Sequence, residues 1–195
     1  MIDFRVLSHK HPVRIHIIVK IFLITMSPQH HCFDMEDFMN KKTKQFLRYI
    51  AVPLFLGLLS WLLVRNSISI FQHIIKPPFT PPASVFPIVW TILYLMMGIA
   101  AYLIKRAHID QNSRTQALFL YKLQLGINVL WPIFFFRFQW FFFAFIWLLF
   151  LWAILWMTVQ SFYWIRKIAG ILLVPYLLWV TYAGYLNLMI SLFNK

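Results

Sequence analysis

Five apolar stretches follow one another from residue 46 onwards, each close to the roughly 20 residues that a helix needs to cross a bilayer. They cover about residues 46–64, 85–104, 117–136, 140–163 and 168–193. A chain in hydrocarbon must satisfy its backbone N–H and C=O groups internally, and segments of this length do so as α-helices. The sequence therefore predicts an all-α integral membrane protein built as a five-transmembrane-helix bundle.

The composition supports membrane lipid as the surrounding medium. Hydrophobic residues make up 62% of the chain and charged residues 12%, whereas about a quarter of an ordinary soluble domain is charged. The net charge is +13, which would also suit a nucleic-acid-binding protein. However, the basic residues are scattered singly between apolar runs, and a nucleic-acid interface needs a patch or stripe. We therefore expect no nucleic-acid partner.

The distribution of basic residues predicts the orientation of the bundle. Ten of them fall at one end of the spans and four at the other. The ten are Lys41, Lys42, Lys44, Arg48, Lys105, Arg106, Arg114, Lys122, Arg166 and Lys167, and the four are Arg65, Lys76, Arg137 and Lys195. Lys and Arg are enriched in cytoplasmic loops. This predicts a cytoplasmic N-terminus and a C-terminus outside.

The first 38 residues differ from the rest, because they hold four basic and four acidic side chains. The apolar stretch 15–26 within them is too short, and too interrupted by His16 and Lys20, to span a bilayer. We predict that residues 1–38 are an extension, either disordered or a mis-assigned start, and that the membrane domain covers residues 39–195. The segment 30–36 (HHCFDME) matches no strong metal-ligand pattern, so no metal site is expected.

Polar and aromatic side chains recur at helical spacing inside three spans. Trp90, Tyr94 and Met97 share one face of the second span, and Gln124, Asn128 and Trp131 share one face of the third. In the fifth span, Trp179, Tyr182, Ala183 and Leu186 form a stripe. An amide in hydrocarbon is unfavourable unless it is paired, so Gln124 and Asn128 should face the interior. These side chains either link helices or bind a polar group of a ligand.

A proline-rich segment, KPPFTPP at 76–82, precedes the second span. Its prolines exclude a helix interior, because each lacks an N–H and has a fixed φ. The segment is either a rigid linker or the lid of a pocket. No pair of a nucleophile and a base presents itself among the later residues, so no catalytic group is predicted from the residues alone.

These segments together resemble the TspO/MBR family of tryptophan-rich sensory proteins and translocator proteins. The resemblance rests on the loop at 76–82, on FPIVWTILY at 86–94, on QLGINVLW at 124–131 and on PYLLWVTYA at 175–183 followed by Leu186 and Asn187. The resemblance covers about residues 39–195. The family implies a five-helix bundle in the membrane, for bacterial members the cell membrane, commonly assembled as a homodimer.

The same resemblance implies a pocket for porphyrins and related aromatic ligands. Carried over residue by residue, the pocket positions are Pro81, Phe86, Trp90, Tyr94, Asn128, Trp131, Trp179, Ala183 and Leu186. Trp90 and Asn128 would be its polar contacts. The function expected is that of a tetrapyrrole-binding sensory or regulatory protein with no required cofactor. Light-dependent porphyrin degradation involving Trp90 and Trp131 is the alternative, and a porphyrin or small-molecule transporter is a third.

Overall fold

The computed structural model describes residues 28–67, 69 and 73–194, with side chains from Asn40 onwards. The chain divides into two compact units, residues 1–44 and 45–195. Most of the predicted extension 1–38, the stretch 15–26 and the side chains of the segment 30–36 lie outside the described part. The division at residue 38 therefore stays a prediction.

Five long helices make up almost all of the described chain. They are α1 (Pro28–Val64), α2 (Val85–Lys105), α3 (Gln111–Pro132), α4 (Phe141–Ile165) and α5 (Lys167–Phe193). Each contains a segment long and apolar enough to cross a membrane, and the described residues contain no strand. The prediction of an all-α membrane protein with a five-helix bundle is confirmed.

Helix α3 departs from its predicted bounds at both ends. It begins at Gln111 instead of about residue 117. The side chain of Asp110 accepts a hydrogen bond from the Ser113 backbone N–H at 2.8 Å and so caps the first turn. This turn is polar, so hydropathy does not detect it. The Ser113 N–H, together with the nearby Arg114 charge, lowers the pKa of Asp110 below its ordinary value.

At its other end, α3 gives way after Pro132 to one π-helical turn, Ile133–Arg137. Proline cannot donate a helical hydrogen bond, and the wider turn closes instead with the Phe138 N–H donating to the Ile133 carbonyl at 3.0 Å. The turn carries three consecutive phenylalanines, two of which point into the site described below.

The core lies where α4 and α5 pack against each other and against α3 and α2. On α4 the buried positions recur every three to four residues, as expected for one helix face. The fully enclosed core includes Ala144, Leu151, Leu155, Phe162, Ala169, Leu173, Tyr176, Ala100, Ala101 and Ile104. The outer faces are equally apolar, with Phe142, Leu149 and Leu178 exposed. A helix that is apolar all round is expected in a membrane.

Helices α1 and α2 approach each other closely at two glycines. A Cβ atom on Gly98 would lie 2.7 Å from the backbone oxygen of Tyr49 on α1, and one on Gly57 would overlap the ring of Tyr94 on α2. Beyond Gly57, towards Val64, the two helices border an open space instead of each other. The close contact at one end and the gap at the other give the space between them the form of a wedge.

Candidate functional site

A cavity of about 530 Å³ occupies the end of the bundle at which α1 and α3 end and α2 begins. This volume is within the usual range of small-molecule sites. The lining comes from four helices, the turn after α3 and one loop residue. It comprises Leu54, Gly57, Leu58, Ser60, Trp61, Val64, Ala83, Phe86, Pro87, Trp90, Thr91, Tyr94, Asn128, Trp131, Pro132, Phe135, Phe136, Ala183, Leu186, Asn187 and Ile190.

Seven of the nine predicted pocket residues line this cavity. They are Phe86, Trp90, Tyr94, Asn128, Trp131, Ala183 and Leu186. The two others, Pro81 and Trp179, are not in its wall. Trp179 lies behind Phe86, with the two rings edge to face at 5.9 Å, and its buried indole N–H has no hydrogen-bond partner among the described residues. Trp179 therefore supports the wall rather than forming it.

Asn128 joins three helices through a buried network. Its Oδ1 accepts a hydrogen bond from the Tyr94 hydroxyl at 2.9 Å, and its Nδ2 donates to the Tyr176 hydroxyl at 2.9 Å. All three side chains are buried, as is Gln124 one turn away, which confirms that the polar stripe of α3 faces the interior. Both ends of the Asn128 amide are thus already paired with protein, so its first role is to hold α2, α3 and α5 together.

Trp131 is also held by the protein. Its Nε1 donates to Asn187 Oδ1 at 3.0 Å, and the Asn187 Nδ2 donates to the Phe141 carbonyl at 2.7 Å. This chain of hydrogen bonds fixes the plane of the Trp131 ring, which also contacts Phe135 with a centroid separation of 5.3 Å. The ring offers the cavity an aromatic surface, while its single polar group is already used.

Trp90 differs from Asn128 and Trp131 in this respect. Its ring stacks on Tyr94 at 5.5 Å and meets Tyr176 edge to face at 6.0 Å, so its position is fixed. Its indole N–H has no hydrogen-bond partner within the described part of the chain. Because Trp90 lines the cavity, it provides an ordered donor that is available to a ligand.

The proline-rich loop and the residue before it are hydrogen-bonded to α5 and to the residue that follows α5. The backbone N–H and carbonyl of Ile75 both pair with the Asn194 side chain, at 2.9 and 3.0 Å. The Tyr182 hydroxyl donates to the Phe79 carbonyl at 2.6 Å, and Phe79 itself has a φ of 66° with its side chain 87% exposed. The loop borders the cavity through Ala83. These hydrogen bonds hold the segment against α5. They are consistent with both interpretations of the sequence, a rigid linker and the lid of a pocket.

Sequence reasoning missed one wall of the cavity completely. Gly57, Trp61 and Val64 of α1 line it, as do Phe135 and Phe136 of the π-helical turn. The only signal in α1 is a single glycine in an apolar run, which does not by itself indicate which residue faces it. The phenylalanines gave no signal, because their direction depends on the turn that follows Pro132.

The chemistry of the lining favours non-covalent binding. No charged side chain belongs to it, and the described residues contain no group of three His, Cys, Asp or Glu side chains that could hold a metal ion. Rings and aliphatic groups supply most of the surface, and the indole N–H groups of Trp90 and Trp61 have no hydrogen-bond partner among the described residues. Such a site suits an apolar, planar molecule that carries a hydrogen-bond acceptor.

Comparison with known proteins agrees with this architecture. A sequence model described as the TspO/MBR family matches residues 49–193. The chain is 36% identical to the tryptophan-rich protein TspO of Chlorobaculum tepidum over 124 residues, 64% of this chain and 78% of that protein. With the tryptophan-rich sensory protein of Cereibacter sphaeroides it shares 36% identity over 60% of this chain and 72% of the relative.

An animal protein matches over a similar extent. The chain is 33% identical to translocator protein 2 of Canis lupus familiaris over 136 residues, which is 68% of this chain and 79% of the relative. The family match at residues 49–193 includes the segments that contribute the cavity wall in α2, α3 and α5. With a family match over most of its length and five membrane-spanning helices, four of which line an aromatic cavity, the chain belongs to the TspO/MBR family.

Proposed function

We propose that this membrane protein binds a tetrapyrrole in the aromatic cavity and acts as a sensory or regulatory protein. The observation that carries the proposal is the ordered indole N–H of Trp90, which has no partner among the described residues and faces a cavity whose remaining walls are mostly aromatic and aliphatic. Trp90 and Trp131 offer ring surface for a flat macrocycle. The name of the Cereibacter sphaeroides relative, a tryptophan-rich sensory protein, supports the sensory part.

Titration of the purified protein in lipid nanodiscs with protoporphyrin IX tests this function. We expect saturable quenching of tryptophan fluorescence at one porphyrin per chain, both in darkness and in light, with the porphyrin absorption spectrum otherwise retained over time. Absence of saturable quenching would contradict the proposed ligand class. Conversion of the porphyrin to a new product would contradict the purely sensory role.

Light-dependent degradation of the porphyrin is the second candidate, and one observation favours it. Trp90 contacts both Tyr94 and Tyr176, so three oxidisable rings lie together, and Trp90 and Tyr94 are in the cavity wall. In this case a new absorption spectrum would develop under light and not in darkness. The same titration therefore separates the two functions.

Replacing Trp90 by phenylalanine should weaken porphyrin binding about fivefold or more, which corresponds to roughly 1 kcal/mol. Phenylalanine keeps a ring in place but removes the indole donor. Trp164→Phe is the matched control, because Trp164 is 84% exposed at the far end of α4. Dissociation constants from the fluorescence titration give the comparison, and equal values for the two variants would show that the Trp90 donor does not contact the ligand.

We propose that the bundle lies in a bacterial cell membrane as a homodimer, with its N-terminus in the cytoplasm. The ten-to-four division of basic residues supports the orientation, and the family resemblance supports the dimer. Two reporter enzymes fused after Lys195 test the orientation. A reporter that folds only outside the cytoplasm should be active, and a reporter that needs the cytoplasm should be inactive. The reverse pattern would contradict the orientation.

A further inference from the structure

Positive charge lies at the end of the bundle where the cavity is found, although none lies in the cavity wall. Arg65 directly follows Val64, a lining residue at the end of α1. Arg137 directly follows Phe136, a lining residue in the π-helical turn. Both arginines are exposed. Two different elements thus each place an exposed arginine one residue beyond the cavity lining.

No acidic side chain accompanies these arginines. Between Gln45 and Asn194 the sequence contains a single acidic residue, Asp110, and it caps α3 at the opposite end of the bundle. The positive potential at the cavity end is therefore not neutralised by a carboxylate from this part of the chain. In the predicted orientation this is the outer, less basic end of the bundle, so the enrichment of Lys and Arg in cytoplasmic loops does not account for the two arginines.

We propose that Arg65 and Arg137 bind the carboxylates of the ligand whose apolar body occupies the cavity. This inference rests on the proposed function and narrows its ligand class to planar, apolar molecules that carry carboxylates along one edge. A carboxylate cannot enter the uncharged wedge between α1 and α2 without a large desolvation penalty. It can remain at the rim while the body of the molecule contacts Trp90 and Trp131, because a guanidinium group pairs with carboxylates through two parallel hydrogen bonds.

The charges also impose a direction on the bound ligand. Its carboxylate edge would face the ends of α1 and α3, and the opposite edge would point towards Tyr94 and Asn128, deep in the cavity. A neutral analogue of the same shape would keep the aromatic contacts and lose the charge pairing. The contribution of the arginines can therefore be measured separately from the contribution of the cavity.

The experiment compares protoporphyrin IX, a dicarboxylic acid, with its uncharged dimethyl ester, in nanodiscs of zwitterionic lipid. The proteins are the wild type, Arg65→Gln, Arg137→Gln and the double variant. A control carries Arg106→Gln and Lys122→Gln, which remove two exposed positive charges away from the cavity. The two arginine substitutions lower the positive charge of the less basic end, so they reinforce the predicted orientation.

We expect each arginine substitution to weaken binding of the diacid about threefold to fivefold, and the double variant about tenfold to twentyfold. Affinity for the dimethyl ester should stay within about twofold in every variant, and the control should match the wild type for both compounds. Raising the salt concentration should weaken diacid binding by the wild type more than by the double variant, because exposed ion pairs are screened.

Unchanged diacid affinity in the double variant would overturn this inference. Equal losses for the diacid and the ester would also overturn it, since they would assign the arginines to the structure of the bundle or to lipid headgroups. Both of these outcomes leave the proposed function standing, because the ester and the diacid still bind the wild type. Failure of both compounds to bind the wild type would instead overturn the proposed function, and this inference with it.

Discussion

Replacing Gly98 by alanine is expected to lower the free energy of unfolding by about 1–3 kcal/mol, because the added methyl group has no room. Its Cβ would lie 2.7 Å from the Tyr49 backbone oxygen and 2.8 Å from the Ile50 Cα. Both atoms belong to the backbone of α1, so no side-chain rotation can relieve the overlap. The two helices would have to separate at the closed end of the wedge.

The same substitution elsewhere in the bundle provides a matched control. A Cβ on Gly184 in α5, or on Gly126 in α3, would meet nothing within 4 Å. Alanine is the better helix former by about 1 kcal/mol, so Gly184→Ala and Gly126→Ala should be neutral or slightly stabilising. Thermal unfolding in one detergent gives the three values. Equal midpoints for Gly98→Ala and Gly184→Ala would refute the close packing of α1 on α2.

Because Gly98 sets the closed end of the wedge, its replacement should also alter the cavity. Separation of α1 from α2 would move the wall that Leu58, Trp61 and Val64 contribute. We therefore expect Gly98→Ala to weaken protoporphyrin IX binding together with stability, while Gly184→Ala leaves both unchanged.

Replacing Asn128 by alanine is the second substitution with a large expected effect, about 1–3 kcal/mol of destabilisation. It removes the acceptor of the Tyr94 hydroxyl and the donor to the Tyr176 hydroxyl, and both tyrosines are buried. Hydrocarbon provides no replacement partner for either group. Asn112→Ala, at an exposed position in the first turn of α3, is the control and should be close to neutral.

A double-mutant cycle with Tyr94→Phe isolates the hydrogen bond itself. Tyr94→Phe removes the hydroxyl that donates to Asn128, so the destabilisation by Asn128→Ala should be smaller in that background. Unfolding midpoints of the wild type, the two single variants and the double variant supply the coupling energy. Strict additivity would show that the 2.9 Å contact contributes nothing to stability.

The number and placement of the helices could be read from the sequence, because a bilayer fixes the length of an apolar span. Helix ends were less predictable where polar residues were involved. The capped turn 111–116 extends α3 beyond its apolar stretch, and Pro132 ends it ahead of the predicted position. Capping hydrogen bonds and proline geometry decide such ends, and neither enters an average of hydropathy.

The candidate site was partly predictable for a similar reason. Trp90 and Asn128 stand out because polar groups in an apolar span must face a partner or a ligand. Trp179 carries the same signal, yet it lies behind Phe86. The α1 wall carries no such signal, because Leu58, Trp61 and Val64 resemble residues that face lipid. Only the crossing of α1 over Gly98 turns them towards the cavity.

By itself, the sequence determined that five helices cross a membrane, that the polar stripe of α3 faces inward and that positive charge is concentrated at one end. Each of these follows from local composition and the solvation of polar groups by lipid or protein. The tertiary structure alone decided which polar groups stay free. Asn187 lies 56 residues from Trp131 along the chain and accepts the hydrogen bond of the Trp131 indole N–H. Tyr176 lies 48 residues from Asn128, and its hydroxyl accepts a hydrogen bond from the Asn128 amide. Trp90 remains available because no such distant partner in the described part of the chain reaches it.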